Sequence, residues 1–257
     1  LKFYSEIGAD TLDLNACVYC RSRASLALQA SIDIADLTTA GKIARQLRPY
    51  ASLPSQISRL INYHVVTGDT TAIQELISKS AKTSSTWDIQ QFYLRIAAQY
   101  ALVHTKNELS HYYSKKAIAL YGNKVNWKVG RCHKMLGNLA MAEKIYQAET
   151  KKYPQDPWLK GELGVIYALQ QKINLANTLI SELESMKTEY GYGVVPYQQG
   201  KIKANLGEKA AALKYLSNAL DEGMKFQTGN TFQHDPDLIV LHKDADYQKL
   251  IARNRQL

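Results

Sequence analysis

A spacing of 34 residues constrains this chain more than any other feature: it separates Gly130 from Gly164 and, with the same step, Ala142 from Ala176. A fixed period of this length is the mark of stacked helix-turn-helix units, each of which buries its apolar face only against a neighbour. Such an array grows by addition and leaves a long open surface, which suits binding better than a closed catalytic pocket. With 257 residues and 46% apolar content, the chain is long enough for several units in one continuous array.

The clearest unit starts at Asn123 and is closed by Pro154. Gly130 falls where the two helices of a hairpin cross closely, Gly137 ends the first helix, Ala142 gives the second a small contact face, and Tyr146 fills the groove below it. The second unit repeats this with Gly164, Tyr167, Ala176 and Ile180, and Pro157 opens its first helix, where a missing N–H costs nothing. In the third, Gly200, Gly207, Ala212, Leu216 and Ala219 keep the internal spacings. The step from Gly164 to Gly200 is 36, so two extra residues are expected in a loop near Tyr190, Gly191, Tyr192 and Gly193.

This pattern resembles the tetratricopeptide repeat (TPR) family over residues 123–223. The family's small eighth position is matched by Gly130, Gly164 and Gly200, its alanine at position twenty by Ala142, Ala176 and Ala212, and its large twenty-fourth position by Tyr146, Ile180 and Leu216. The tryptophan near position four is approximated by Trp127 and Trp158, out of register. The resemblance implies an all-α, right-handed superhelical solenoid of antiparallel helix hairpins, about six in number, with a C-terminal capping segment.

Upstream the signal fades. Residues 1–122 are read as divergent hairpins of the same solenoid. One is expected near Trp87, with Ala97, Tyr100, Tyr113 and Ala117 in its core and Leu109 or Ser110 in the small position; another has Ile61, Gly68, Ile73 and Ile77. The first hairpin, Leu12 to Leu47, carries Leu26, Ala30 and Ile34, then Leu37, Ile43 and Leu47, at helical spacing before Pro49. Residues 224–257 break the pattern. Asp235 and Pro236 form a helix cap and first turn, Leu238 with Leu241 and Tyr247 with Leu250 and Ile251 form two apolar stripes, and Gln227 to Phe232 reads as the loop leading in. Its expected role is to cover the last hairpin.

Chemistry is sparse. There is no phosphate-cradling G-x-x-x-x-G-K-[ST] loop, no G-x-S-x-G elbow and no H-E-x-x-H helix. Cys17 and Cys20 have the C-x-x-C spacing, with Cys132 and His133 as the sole further candidates for a metal site, and on a helix they read as one packed face. His234 beside Asp235, His242 near Asp244, and His64, His104, His111 and His133 give a minor alternative, an all-helical metal phosphohydrolase. The main reading is not an enzyme and needs no cofactor.

Lys and Arg number 32 against 23 acidic residues, a formal charge of +9, which favours acidic partners. In the family the first helix of each hairpin lines the concave face, and the resemblance carries this role to Lys124, Trp127, Arg131, Lys134, Trp158, Tyr197 and Lys201, with Val165 and Asn205 beside them. Aromatics alternate there with cations. The expected function is a protein-interaction scaffold that holds an extended, acidic or aromatic-containing segment of a partner protein. The resemblance does not extend to the family's chaperone-carboxylate clamp, whose positions here hold Trp127, Arg131, Glu162, Val194 and Gln198. The alternative is a solenoid that binds RNA or another polyanion on Lys124, Lys128, Arg131 and Lys134, and self-association through the divergent hairpins is a third outcome. No apolar run is long enough to span a bilayer. Three cysteines without a disulfide pattern favour a reducing compartment such as the cytoplasm. The start at Leu1 instead of Met leaves room for an exported mature chain.

Overall fold

The computed structural model describes residues 14, 18–83, 88–122, 124–188, 191–224 and 231–256. Cys17, Trp87, Tyr190 and the expected loop at 227–230 lie outside them. Every regular element among the described residues is helical. Among the described residues twelve helices follow in six turn-linked pairs: α1 (Val18–Asp33) with α2 (Leu37–Leu47), α3 (Pro54–Thr67) with α4 (Thr70–Thr83), α5 (Asp88–Val103) with α6 (Asn107–Tyr121), α7 (Trp127–Met135) with α8 (Leu139–Lys152), α9 (Pro157–Leu169) with α10 (Ile173–Glu184), and α11 (Val194–Asn205) with α12 (Lys209–Asp221). The described residues are all-α, built from helix-turn-helix pairs. A single turn α13 (Thr231–His234), a 3₁₀ turn (Pro236–Leu241) and α14 (Ala245–Gln256) follow.

One turn geometry makes all six hairpins. In the turn after each first helix one residue has a left-handed backbone: Ala35 (φ 59°), Gly68 (81°), Thr105 (57°), Gly137 (73°), Gln171 (59°) and Gly207 (79°). The following N–H then reaches back over the helix end, from Asp36 to Ser31 O (2.9 Å), Asp69 to His64 O (2.9 Å), Lys106 to Ala101 O (2.7 Å), Asn138 to His133 O (2.9 Å), Lys172 to Tyr167 O (2.9 Å) and Glu208 to Lys203 O (3.0 Å). This bond satisfies a carbonyl the helix itself leaves unpaired and reverses the chain in three residues. Five positions after each turn residue stands the contact residue of the second helix: Ala40, Ile73, Ser110, Ala142, Ala176 and Ala212, all fully buried. Ser110, not Leu109, therefore takes the small position in the third hairpin.

The contacts divide the chain into two compact units, Leu1–Tyr113 and Ser114–Leu257. In the first, α1, α3 and α5 pack side by side. The core of α1 is Ala24, Leu28 and Ile32, whereas Leu26, Ile34 and Leu37, expected on a buried stripe, remain exposed. The reason is register: Leu28 is the buried crossing residue, and Ala24 and Ile32 lie one turn to either side of it. A polar row joins the three helices, with Asn62 Nδ2 donating to Gln29 Oε1 (3.3 Å) and its Oδ1 2.9 Å from His104 Nε2. Lys106 Nζ donates to the carbonyls of Val65 and Val66 (2.7 and 2.9 Å) at the end of α3.

In the second unit the first-helix glycines sit close against neighbouring side chains. A Cβ on Gly130 would lie 2.8 Å from the Tyr146 ring, and one on Gly164 would lie 2.3 Å from Ile202 Cδ1. One apolar cluster joins α8, α9, α10 and α11 through Tyr146, Leu163, Ile166, Leu179 and Ile202. A second brings Leu238, Leu241, Tyr247 and Ile251 of the C-terminal segment onto Tyr197, Ala212, Leu216 and Leu220 of the last hairpin. The tail thus covers that hairpin, and Phe232, placed at the end of a loop by the sequence reading, is a buried member of the same cluster.

Candidate functional site

The first helices of the second unit carry a buried ionic cluster. Lys134 comes from α7, Glu162 from α9, Tyr197 and Lys201 from α11, and Asp235 and Asp237 from the start of the 3₁₀ turn. Lys201 Nζ lies 2.7 Å from Glu162 Oε1, 2.8 Å from Asp237 Oδ2 and 3.3 Å from Asp235 Oδ2. Lys134 Nζ donates to Glu162 Oε2 (2.6 Å) and to Asp237 Oδ1 (2.7 Å). The Tyr197 hydroxyl donates to Asp235 Oδ2 (2.6 Å), and Asn205 Nδ2 to the Asp237 carbonyl (2.8 Å). Asp235 also caps the turn, its Oδ1 accepting from Asp237 N–H (2.9 Å). Charge-assisted bonds of this length, several to each ion, are what a buried charge needs to remain ionised.

Ionisation follows from the same geometry. Burial alone would raise the Glu162 carboxyl, but Lys134, Lys201 and Arg131 overcome it and hold the group well below the usual carboxylate range. Asp235 is likewise held low: burial opposes, and Lys201, Arg131 and Lys134 prevail against Glu162. Lys201 is the mirror case, its burial outweighed by Asp235, Asp237 and Glu162 so that its pKa rises. Burial and then Asp235 push the Tyr197 hydroxyl upward, so it acts as a donor.

The residues expected to line a binding groove therefore fall into two groups. Lys134, Tyr197 and Lys201 are buried and held by the chain's own Asp235 and Asp237. Trp158 is partly buried and packs on Tyr197, with ring centroids 6.0 Å apart. Val165 is fully buried in the apolar cluster. On α7 and just before it, Lys124 and Trp127 stay exposed and Arg131 is half-buried. Among the described residues Arg131 makes no hydrogen bond, and its guanidinium, whose burial alone would lower its pKa, is held charged by Glu162, Asp235 and Asp237.

Beside Trp127 opens a cleft of about 460 Å³, lined by Val125, Asn126, Trp127, Lys128, Glu149, Lys152, Tyr153, Asp156 and Leu159. The Asn126 side chain accepts from Lys128 and Val129 N–H, which starts α7 here. Lys128 Nζ stands 5.9 Å from the Trp127 ring and Lys152 Nζ 4.8 Å from the Tyr153 ring. The sequence reading missed Tyr153 and also Glu162. The latter had a signal, a lone acidic residue within the apolar run of α9.

Among the described residues no group of three or more His, Cys, Asp or Glu side chains is placed to hold a metal ion. His242 stacks on Tyr247 at 5.9 Å, Asp235 is engaged by Tyr197 and Lys201, and Cys132 is buried in α7. No described helix is long and apolar enough to cross a membrane.

The chain matches no family model and no curated protein. Among solved structures it is similar to a tetratricopeptide repeat protein from Parabacteroides merdae ATCC 43184, with 13% identity over 91% of this chain and 98% of that one. The TM-score is 0.40.

Proposed function

We propose that this chain is a non-enzymatic protein-interaction scaffold that holds an extended acidic segment of a partner protein along α7, through Lys124, Trp127 and Arg131, with Trp158 toward the neighbouring helix. One observation carries the reading. The same face already grips a pair of carboxylates, those of Asp235 and Asp237, through Lys134 and Lys201. Arg131 adjoins that pair with its planar five-donor fork not hydrogen-bonded among the described residues. A carboxylate on an incoming segment can take those donors, while the exposed Trp127 supplies apolar area. The hairpin stack is preformed, so the ordering cost falls on the partner segment.

The test is an array of acidic nonapeptides probed with the intact chain and with Arg131→Gln and Trp127→Ala. Selective binding that each substitution weakens about tenfold or more supports the reading. Binding that survives both substitutions refutes it. Capture of single-stranded nucleic acid alone, with a steep loss on added salt, gives the face to a polyanion instead.

A further inference from the structure

We propose that the cleft between Trp127 and Tyr153 receives an aromatic side chain of that same acidic segment, so that the recognised motif is one aromatic residue flanked by carboxylates. The inference rests on the reading of α7 given above and adds a specificity pocket to it. The cleft's apolar walls are Val125, Trp127 and Tyr153 with Leu159, and its 460 Å³ lies within the range of pockets that enclose ligand groups. Val125, Trp127 and Tyr153 are 66%, 37% and 47% exposed, which gathers three large apolar side chains at one surface point. Two aromatic walls favour a third ring, which gains offset or edge-to-face contact that an aliphatic group lacks.

Charge supplies the flanking chemistry. Both acids of the lining are turned to backbone: Glu149 Oε2 accepts from Trp127 N–H (3.2 Å), and Asp156 Oδ1 from Trp158 N–H (2.8 Å) and Leu159 N–H (3.2 Å). Cations surround the rings. Lys124, Lys151 and Lys152 are exposed, and Lys128 and Lys152 lean over the two rings. An aromatic residue seated between those rings brings its neighbours to these lysines, where carboxylates are favoured. A protein segment fits better than a nucleic acid strand, because strands bind on successive stacking platforms and the cleft offers one.

The experiment uses the full chain and fluorescein-labelled nonapeptides of Asp and Glu with Phe or Ala at the centre, alongside an oligothymidylate. Affinities are read by fluorescence anisotropy for the wild type, Tyr153→Ala, Tyr153→Phe and Arg131→Gln. Tyr153 is a surface residue, so its variants are expected to fold, and circular dichroism checks this. The Phe peptide is expected to bind about tenfold more tightly than the Ala peptide, with the difference lost in Tyr153→Ala and kept in Tyr153→Phe. Equal binding of the two peptides, or a difference that survives Tyr153→Ala, overturns the cleft assignment. It leaves the α7 reading standing if Arg131→Gln weakens both peptides. A Phe preference that depends on Tyr153 but not on Arg131 keeps the cleft and overturns the α7 reading. Failure of both peptides to bind overturns both, and oligothymidylate binding lost in Tyr153→Ala assigns the cleft to nucleic acid.

Discussion

Replacing Lys201 by Met tests whether the tail is held by charge or by apolar packing alone. Lys201 is 1% exposed and faces Glu162, Asp235 and Asp237, while Lys134 and Arg131 supply the remaining positive charge of the cluster. In the wild type three cations meet three carboxylates. The Met variant keeps most of the aliphatic stem, so little packing is lost, but one buried carboxylate is left uncompensated. Breaking a buried pair in this one-sided way costs about 3–5 kcal/mol. Unlike a truncation to Ala, the change carries almost no cavity penalty, so the measured loss reports charge. Urea unfolding of the variant should lose about 3–4 kcal/mol, and hydrogen exchange should show faster opening of the amides at 235–241. Adding Asp237→Asn removes the orphaned charge, so the double variant should be more stable than the sum of the singles by about 1.5 kcal/mol or more. A loss below about 1 kcal/mol for Lys201→Met, or strict additivity in the cycle, would show that Leu238, Leu241 and Tyr247 hold the segment unaided.

Acid should weaken the fold in two steps. His64 and His242 are held below the ordinary imidazole value, chiefly by burial, so the stability tied to their neutral forms is present above about pH 6.5 and is lost as pH falls through their lower folded values. Glu162 and Asp235 are also depressed, so their contribution persists to about pH 4 and is lost below it, as the folded groups take up protons. Lys201 is raised, so its contribution is complete below about pH 10 and is lost only as pH climbs through the higher folded value. Urea midpoints should therefore be flat from about pH 7 to 10, and a decline within that range contradicts the assignment. Thr105→Gly should stabilise the protein by about 1 kcal/mol, because a β-branched residue is held at φ 57° with its turn bonds made by backbone alone. Unchanged or lower stability in thermal unfolding counts against a strained turn at that position.

The repeat is readable wherever a glycine stands in the first helix, at Gly130, Gly164 and Gly200, where a Cβ would press on Tyr146, Ile202 and Leu216. In the first unit the equivalent places hold Leu28, Ile61 and Ala98, and two of the turns are made by Ala35 and Thr105. The geometry is conserved along the chain while its residue code is not, since backbone hydrogen bonds define the turn and glycine only eases it. That is why the N-terminal hairpins looked degenerate and the stripe in α1 was assigned to the wrong face. The candidate site was legible in part. The alternation of cations and aromatics on the first helices marked the face on which Lys134 and Lys201 hold the chain's own carboxylates. The source of the carboxylates was hidden, because Lys134 and Asp237 stand 103 residues apart and local spacing carries no information about that pairing. Asp235 did show its cap, but the cap uses one oxygen, and the other accepts from Tyr197.

The ionic cluster explains how an otherwise smooth apolar contact acquires a unique register. Leu238 and Leu241 alone could slide on the last hairpin at modest cost, since apolar contact is not directional. A shift of one residue would set Pro236 against Lys134 and Lys201 and leave Glu162 alone to balance two buried ammonium groups, which is far more expensive. Register is the role for which buried polar groups are best attested, and it comes here with a functional consequence. By fixing Asp235 and Asp237 against Lys134 of α7 and Lys201 of α11, the tail covers that part of the first-helix face. Arg131 feels the charge of that pair, whereas Lys124, Trp127 and the cleft at Tyr153 are left exposed by it, and on the proposed reading they are where another protein would be met.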